Sequence, residues 1–355
     1  MFLAYYGSQY GCSPKYLSEH IMRIHPEWDV IWAFTQPDKH YVDGVKKIRY
    51  LSLRFFYELC TSGFFITNYR MPKTFRKRKG QCYIMTWHSS LRLKMIEKDA
   101  EKTLPASYIK MAKADSRKID VVLSGCRFSD EVFRHSFWYD GIILRSGTPR
   151  IDPFYAKDLV YKKSQIQNKL YLSESTNILL YAPTFRGHGD LTYYNLDYKA
   201  LKVKLEEMKG GKWNILVRLH PHLKTYSQKL LADSDVLDVT DYDDIQELLL
   251  VADLLITDYS SLMFDFAETR RPCFLYVPDL EQYQAKDRSF YFDIEALPFP
   301  KSSSQQELEY QMLTLNLQTY IASVDTFMKS IGSYEDGGAS QRVVEYIEKW
   351  IEEKS

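Results

Sequence analysis

Polar residues that could bind phosphate follow several short apolar segments of this 355-residue chain. They are histidines, arginines, serines and threonines, in the stretches SG (124–125), GTPR (147–150), PTFR (183–186), RLHPH (218–222) and TDYSS (257–261). Arginine and histidine side chains, hydroxyl groups and the N–H groups of a helix start are what proteins use to hold phosphate oxygens. The pattern therefore predicts a site for a phosphate or diphosphate ligand.

The segment RLHPH gives the strongest of these signals. Side chains alternate along a strand, so Arg218 and His220 should point to the same side, with a proline ending the strand behind them. Two cations at one strand end suit a diphosphate; the alternative is an exposed strand end without a ligand. His222 lies beyond the proline and is expected behind these two or at the surface. Arg150 and Arg186 follow proline-containing turns, where each could reach a phosphate or lie in solvent.

The segment TDYSSLMFDFAE predicts a helix start after a strand. Asp258 or Ser260 would cap the helix, and Ser260 and Ser261 in its first turn would face a ligand phosphate. The alternative is an ordinary N-cap without a ligand. Asp265 is four residues after Ser261 and so shares its helix face, from which it could reach a ribose or a base. A solvated helix carboxylate is the other interpretation of Asp265.

One histidine of the first half is a candidate general base. The stretch TWHSSLRLK (86–94) places His88 directly after the apolar segment CYIMTW. A histidine titrates near neutral pH and can take a proton from an attacking hydroxyl group. The alternative is a histidine that is hydrogen-bonded in a loop and has no chemical role.

A positive patch precedes His88 in the stretch NYRMPKTFRKRKG. It contains Arg70, Lys73 and the run Arg76, Lys77, Arg78 and Lys79, with apolar character added by Phe75. The patch suits an anionic partner, either a phosphate-containing polymer or acidic lipid headgroups, unless it is simply a solvated turn. It is not accompanied by an RNA- or DNA-binding motif, so nucleic acid is not an expected partner.

The elements that must position these residues alternate along the chain. Ten apolar segments rich in Ile, Val, Leu and aromatic residues resemble strands buried on both faces of a parallel sheet. Helical patterns such as SPKYLSEHIMRI, LDYKALKVKLEEMK and DDIQELLLVA lie between them. The predicted fold class is therefore α/β, with two doubly wound domains and a ligand cleft at the carboxyl ends of the strands. We expect domains over 1–160 and 161–325, and a helix over 326–355 that packs back on the first domain.

Composition limits the function further. The net charge of +1 excludes a protein that binds polyanions over its whole surface. The five cysteines have neither redox nor zinc spacing, and HExxH, GxGxxG and P-loop motifs are missing from the sequence, as is a DxD of the kind that holds a divalent ion on a nucleotide diphosphate. We therefore expect neither a metal nor an organic cofactor. The N-terminal stretch does not resemble a signal peptide, and we expect a cytoplasmic or peripherally membrane-bound protein.

Taken in order, these motifs resemble the CDP-glycerol glycerophosphotransferases of teichoic acid and capsule synthesis. The resemblance covers nearly the whole chain and includes ITNYRMPKTFRKRKGQCYIMTWH, GTPRIDPF, ILLYAPTFR, RLHPH, ITDYSSLMFDFA, RSFYFD and DGGASQRVVEYI. It implies a GT-B-type fold, two Rossmann-like domains with the active site in the cleft between them. It also implies transfer of glycerol phosphate from CDP-glycerol to a hydroxyl group of a lipid-linked glycan or polyol-phosphate acceptor, with release of CMP, at the inner face of an anionic cell membrane.

The resemblance also implies residue roles. His88 matches the base, and Arg218 and His220 match residues that hold the donor diphosphate. The remaining donor-binding matches are Arg150, Pro183, Thr184, Ser260, Ser261 and Asp265.

The chain departs from the family pattern beside the expected base. Family members commonly have His-Gly-Thr-Pro-Leu-Lys where this chain has HSSLRLK, without the glycine and the proline. Ser89 cannot adopt a positive φ as cheaply as glycine, and Leu91 restricts the turn less than proline. A different acceptor, such as a sugar hydroxyl on a capsule repeat, is therefore expected. CDP-ribitol remains an alternative donor, and a GT-B glycosyltransferase that uses a nucleotide sugar or a non-catalytic anion-binding protein remains an alternative function.

Overall fold

The computed structural model describes residues 1–186, 192–194, 196–224, 227, 231, 235–286 and 289–354. By their contacts these residues form two compact units. Unit 1 contains 1–91, 96–156 and 331–355, and unit 2 contains 92–95 and 157–330, apart from the residues that are not described. The sequence-based limits at 160 and 325 remain a prediction of domain boundaries. Arg288 of the RSFYFD stretch lies outside the described residues.

The strands are short, and those in the middle of each sheet are almost entirely buried, as expected for apolar segments covered on both faces. They are Phe2–Leu3 (β1), Ile31–Phe34 (β2), Lys46–Arg49 (β3), Phe64–Thr67 (β4), Cys82–Met85 (β5), Val121–Leu123 (β6), Ile142–Leu144 (β7), Asn177–Tyr181 (β8), Trp213–Val217 (β9), Leu237–Asp238 (β10), Leu254–Thr257 (β11), Cys273–Tyr276 (β12) and Lys301–Ser302 (β13). All ten apolar segments contain a strand, which confirms those predictions. The sequence pattern did not predict β1, β3 and β13.

The helices begin and end at recognisable signals. Asp197, Asp244 and Ser304 each accept a hydrogen bond from the first turn of the helix that follows. The helices are Cys12–Ile24 (α1), Leu53–Thr61 (α2), Ala106–Ser116 (α3), Arg127–Ser136 (α4), Leu159–Lys169 (α5), Tyr198–Lys209 (α6), Ile245–Val251 (α7), Leu262–Ala267 (α8), Leu280–Lys286 (α9), Gln305–Thr314 (α10), Leu317–Ile331 (α11) and Ala339–Lys354 (α12).

Each unit has a parallel sheet with the same order of its first strands. The described strands of unit 1 follow the order β3-β2-β1-β4-β5-β6-β7, and those of unit 2 follow β10-β9-β8-β11-β12-β13. In both sheets the chain starts at a central strand, moves to one edge, and then crosses to the other side. The crossing creates a switch point, between β1 and β4 in unit 1 and between β8 and β11 in unit 2. The carboxyl ends of the strands at a switch point are where ligands bind doubly wound sheets.

The cores are separate. In unit 1, Trp32 of β2 and Ile84 of β5 pack in a cluster that includes Val343 and Ile347 of α12. Helix α12 also begins on unit 1, because both carboxylate oxygens of Asp152 accept hydrogen bonds from its first N–H groups. In unit 2, the core cluster lies between β8, β9 and β11 on one side and α6 and α10 on the other.

Candidate functional site

In unit 2, the predicted donor-binding residues follow three neighbouring strands. Pro183 and Thr184 follow β8, Arg218 and His220 follow β9, and the TDYSS segment follows β11. Strands β8, β9 and β11 are parallel and adjacent, so their carboxyl ends lie at one edge of the sheet, and the switch point lies between β8 and β11. The structure thus brings these predicted residues to the edge where a doubly wound sheet binds its ligand.

A buried carboxylate joins the two loops at the switch point. Asp258 accepts hydrogen bonds from the backbone N–H of Thr184 at 2.8 Å and from its hydroxyl group at 2.5 Å. It also accepts one from Nη1 of Arg186 at 2.6 Å. Asp258 is therefore not a helix cap, and the prediction that it could cap α8 is wrong. Its role in the structure is to hold the PTFR loop against the end of β11.

Arg186 also forms an ion pair with a second carboxylate. Its Nε and Nη2 atoms donate to Asp279 at 2.8 and 3.0 Å, and the OH group of Tyr259 donates to the same carboxylate at 2.9 Å. The two carboxylates raise the pKa of Arg186 despite its burial, so it is charged at any working pH. The suggestion that Arg186 reaches a phosphate is not supported, because two buried carboxylates already neutralise it. Asp279 was missed by the sequence analysis, since its partner is distant along the chain.

Arg218 and His220 continue the alternation of β9 beyond its last residue. Leu219 between them is buried, whereas Arg218 and His220 are more exposed, as predicted. The His220 ring stacks on Phe185, with 5.2 Å between the ring centroids, and lies 4.8 Å from the ring of His222. The backbone N–H of His222 donates to Nδ1 of His220 at 3.3 Å, which leaves the proton of the neutral ring on Nε2.

The pKa of His220 is lowered below its ordinary value. Partial burial of the ring has the largest effect, and the neighbouring His222 and Lys94 lower the pKa further. His220 is therefore neutral near pH 7 while no anion is bound. Lys94 belongs to unit 2 although His88 belongs to unit 1, because residues 92–95 pair with the segment around Phe290. The sequence analysis did not predict that Lys94 lies near His220.

The helix start after β11 differs from the prediction in detail. Helix α8 has only six residues and begins at Leu262, with Ser261 as the N-cap residue. Ser260 and Ser261 are half-buried, and the hydroxyl group of Ser260 accepts a hydrogen bond from the N–H of Leu262 at 3.3 Å. Asp265 is only 1% exposed and accepts a hydrogen bond from Gln246 at 2.8 Å. The interpretation of Asp265 as a solvated carboxylate is therefore wrong.

In unit 1, His88 follows the carboxyl end of β5. Its ring is half-buried and stacks on Tyr69, with 4.9 Å between the centroids. Its Nδ1 lies 3.3 Å from the backbone oxygen of Asn68, which favours a neutral ring with its proton on Nδ1 and its lone pair on Nε2. That tautomer is the one a general base needs. The left-handed backbone of this loop is at Trp87 (φ 54°), one residue before the histidine.

Arg150 lies in unit 1 and holds the His88 loop. It is 2% exposed, and its Nη1 atom donates to the backbone oxygen of His88 and to the sulfur of Cys12, the latter at 3.2 Å. It therefore contacts the loop of the candidate base, and its predicted contact with the donor stays a prediction.

The positive patch is smaller than the sequence suggested. Arg70 is 1% exposed and is paired with Glu97, so it does not belong to the patch. Phe75 is 3% exposed and packs against Phe65, so it adds nothing apolar to the surface. The prediction was wrong for both residues, because it considered their charge and apolarity but not their burial.

Five basic residues remain in the patch. Lys73, Arg76, Arg78 and Lys79 are exposed, and Lys77 is half-buried in an ion pair with Asp120. The patch precedes β5, whereas His88 follows that strand, so the patch lies near the amino ends of the parallel strands and His88 near their carboxyl ends.

The family model described as CDP-Glycerol:Poly(glycerophosphate) glycerophosphotransferase matches residues 1–349. The chain belongs to this glycerophosphotransferase family. A teichoic acid poly(glycerol phosphate) polymerase of Staphylococcus epidermidis is 31% identical over 369 residues, which cover 100% of this chain and 51% of the relative. The polymerase of Bacillus spizizenii is 29% identical over 361 residues, covering 98% of this chain and 91% of that protein. The chain thus spans about half of the first relative and nearly all of the second.

Solved structures of the family agree with the fold. The structure of the wall teichoic acid polymerase TagF matches with a TM-score of 0.88 and 29% identity, covering 100% of this chain and 90% of that one. The predicted GT-B-type α/β fold class is therefore confirmed for this member of the glycerophosphotransferase family. No helix among the described residues is long and apolar enough to cross a bilayer.

Proposed function

We propose that this protein transfers glycerol phosphate from CDP-glycerol to a hydroxyl group of a cell-surface polymer precursor and releases CMP. The observation that carries the proposal is the pair Arg218 and His220 at the switch-point edge of unit 2, in a chain that matches a glycerophosphotransferase family over residues 1–349. A neutral imidazole beside an arginine can donate a hydrogen bond to a diphosphate, and it can take up a proton from solvent when that anion binds.

The proposed mechanism divides the work between two histidines. Nε2 of His88 takes the proton of the acceptor hydroxyl, whose oxygen attacks the phosphorus that carries glycerol. The bond from that phosphorus to the bridging oxygen breaks, and its electron pair leaves with CMP. Arg218 and His220 stabilise the charge that develops on the phosphates, and the loops with Pro183, Thr184, Ser260 and Ser261 enclose the donor. Arg150 contributes by holding the His88 loop, and Asp265 by supporting the start of α8.

The first test is a product assay with His88→Ala, and His135→Ala as the matched control in unit 1. His135 is exposed and bonded to Asp99, away from any proposed site residue. We expect CMP release that depends on the acceptor, and a loss of about 10²–10⁴-fold in His88→Ala, because a general base typically contributes that much. Near-normal turnover by folded His88→Ala would rule out His88 as the base. Release of UDP or GDP from a nucleotide sugar would favour a glycosyltransferase instead.

Relatives named for ribitol phosphate suggest a second donor to test. A teichoic acid ribitol-phosphate primase of Bacillus spizizenii is 31% identical over 215 residues, which cover 59% of this chain. CDP-ribitol should therefore be assayed beside CDP-glycerol at equal concentration. The acceptor series should include a poly(glycerol phosphate) and a lipid-linked glycan with a free sugar hydroxyl, because the chain has Ser89 and Leu91 where the family pattern has glycine and proline. Preference for the glycan would support a capsule-type acceptor.

The proposed place of action is an anionic membrane surface. Helix α2 exposes Leu53, Phe56 and Tyr57 to solvent, with Leu53 91% exposed, and Arg54 stands among them. Gln81, next to the basic patch Arg76–Lys79, donates hydrogen bonds to the backbone oxygens of Leu59 and Ser62 at the end of α2. Apolar side chains beside basic ones suit insertion between acidic headgroups.

Vesicle sedimentation tests this surface. Replacing the four residues 76–79 with glutamine should weaken binding to vesicles with anionic lipid by roughly 10²-fold at low salt, since each basic residue near the surface contributes about 1 kcal/mol and Lys77 is partly used by Asp120. Phe56→Ser should weaken binding at every salt concentration. Leu313→Ser, on an exposed face of unit 2, is the control. Unchanged binding of both variants would remove this surface from the proposal.

A further inference from the structure

One carboxylate holds the loop of the candidate base and the loop of Arg150 together. Glu335, just before α12, accepts a hydrogen bond from the hydroxyl group of Ser90 at 2.7 Å. It also accepts one from the hydroxyl group of Thr148 at 2.7 Å and one from the backbone N–H of Thr148 at 2.9 Å. Ser90 is two residues from His88, and Thr148 is two residues from Arg150. All of these residues belong to unit 1.

These contacts close a ring around His88. Arg150 donates a hydrogen bond to the backbone oxygen of His88, and Glu335 accepts one from Ser90, two residues later. The backbone is therefore held both at His88 and just after it. The hydroxyl group of Ser129 donates to the backbone oxygen of Ser90 at 2.7 Å and restrains the same turn. The ring therefore restrains the backbone of the His88 loop on both sides of the imidazole.

Two glycines make room for the carboxylate. A Cβ atom on Gly125 would lie 2.2 Å from Oε1 of Glu335 and 2.3 Å from the hydroxyl oxygen of Ser90. A Cβ atom on Gly147, which has a φ of 76°, would lie 2.8 Å from Oε2. All three distances are shorter than non-bonded atoms tolerate, so any larger residue at either glycine would displace the carboxylate of Glu335. The close approach of Glu335 thus depends on three separate segments of unit 1, those that contain Ser90, Gly125 and Gly147.

We infer that Glu335 is a positioning residue for the general base, acting through Ser90 and through the Thr148–Arg150 loop. It does not touch the reacting atoms. Its negative charge strengthens the hydrogen bonds from Ser90 and Thr148, which keeps the His88 loop in one conformation. This inference rests on the proposed function of His88, and it explains how a loop without the family's glycine and proline keeps a defined shape.

Glu335→Gln tests the inference, with Asp336→Asn as the matched control. Asp336 is the next residue and is also acidic, but its carboxylate pairs with Arg342. We expect kcat for transfer to fall by about 10–10²-fold in Glu335→Gln, because a misplacement of about 1 Å costs that much. The Kd for CDP should not change, because in the proposed mechanism Arg150 holds the His88 loop and the residues that enclose the donor lie in unit 2. Ser90→Ala should show the same pattern and stands in if Glu335→Gln does not fold.

A double-variant experiment separates positioning from a general structural role. In a His88→Gln background, Glu335→Gln should not lower the residual rate further, because the group it positions is gone. An equal loss in both backgrounds, an equal loss in Asp336→Asn, or an unchanged kcat with intact folding would each overturn the inference.

An NMR measurement keeps this test independent of activity. The ring signal of His88, assigned by its disappearance in His88→Gln, should shift in Glu335→Gln and Ser90→Ala but not in Asp336→Asn. If the unaltered protein transfers nothing from any CDP donor, the proposed function fails, and this shift still decides whether Glu335 positions His88. Absence of the shift in both variants would overturn the positioning role by itself.

Discussion

Binding of a donor diphosphate should make His220 take up a proton. In the ligand-free protein, partial burial, His222 and Lys94 all lower the pKa of His220, so its ring is neutral at pH 7. A phosphate charge about 4 Å away stabilises the imidazolium by roughly 1–4 kcal/mol, between a water-like and a protein-like dielectric. A tenfold change in protonation requires about 1.4 kcal/mol. Because a diphosphate carries more than one charge, the ratio of protonated to neutral His220 should rise by tenfold or more.

Calorimetry measures this uptake directly. CDP-glycerol, whose esterified diphosphate has no group that titrates near pH 7, is titrated without acceptor into the protein at pH 7 in buffers with different heats of ionisation. The slope of the binding enthalpy against the buffer enthalpy gives the number of protons taken up, which should be a sizeable fraction of one. It should fall to near zero in His220→Gln. His222→Gln is the matched control and should retain most of the uptake, because it leaves the His220 ring on Phe185.

Two outcomes would refute this reasoning. Proton release, or no exchange at all, in the unaltered protein would mean that the ligand charge does not act on a neutral histidine. Uptake that persists in His220→Gln would mean that another group gains the proton. The affinity for CDP-glycerol should also rise as the pH falls from 8 to 6, since protonation of His220 and binding of the anion favour each other.

Three further predictions concern stability. Arg186→Met should destabilise unit 2 by about 3–5 kcal/mol in urea unfolding, because it leaves the buried carboxylates of Asp258 and Asp279 without their cation. Asp152→Ala should cost about 0.5–2 kcal/mol, since it removes the distant cap of α12, and a loss of thermal stability in unit 1 would show it. Burial raises the pKa of Asp115 to about 6, because its effect exceeds the opposing effect of the nearby Arg70. The protonated carboxyl of Asp115 therefore stabilises the folded state fully below about pH 4, and this stabilisation is lost as the pH rises through about 6. Asp115→Asn should remove this pH dependence, and urea titrations at pH 4, 5 and 7 would reveal a dependence that persists.

The sequence predicted the strands whose own side chains fill the core, and it missed strands defined by their neighbours. Segments such as CYIMTW and NILLYAPT are apolar throughout, so their burial can be inferred locally. Strand β1 has only two residues, and its central place results from pairing with β2 and β4. Strand β3 has a mostly exposed, charged sequence because it lies at the edge of its sheet. Neither the pairing of β1 nor the edge position of β3 can be inferred from the hydrophobic pattern of the segment itself.

The same limit applies to the candidate site. Arg218 and His220 were predicted to share one side because strand alternation is a local rule, and the burial of Leu219 between them agrees with that prediction. Arg186 resembled them in sequence but is neutralised by Asp279, 93 residues away. Arg70 resembled a member of the surface patch but is buried against Glu97. A local pattern can predict which side chains are basic, whereas their availability depends on carboxylates supplied by distant segments.

The stretch TWHSSLRLK shows why its departure from the family pattern matters. Its first part carries His88, and Ser90 is held by Glu335, 245 residues further along the chain. Its last part belongs to unit 2, where Lys94 lowers the pKa of His220. The chain therefore passes from the unit of the base to the unit of the donor site directly after Leu91. A substitution in this stretch can therefore change the base or the charge at the donor site, and measurement separates the two effects. Loss of the Ser90 hydrogen bond should lower kcat, whereas Lys94→Gln should raise the pKa of His220 and reduce the proton uptake when CDP-glycerol binds.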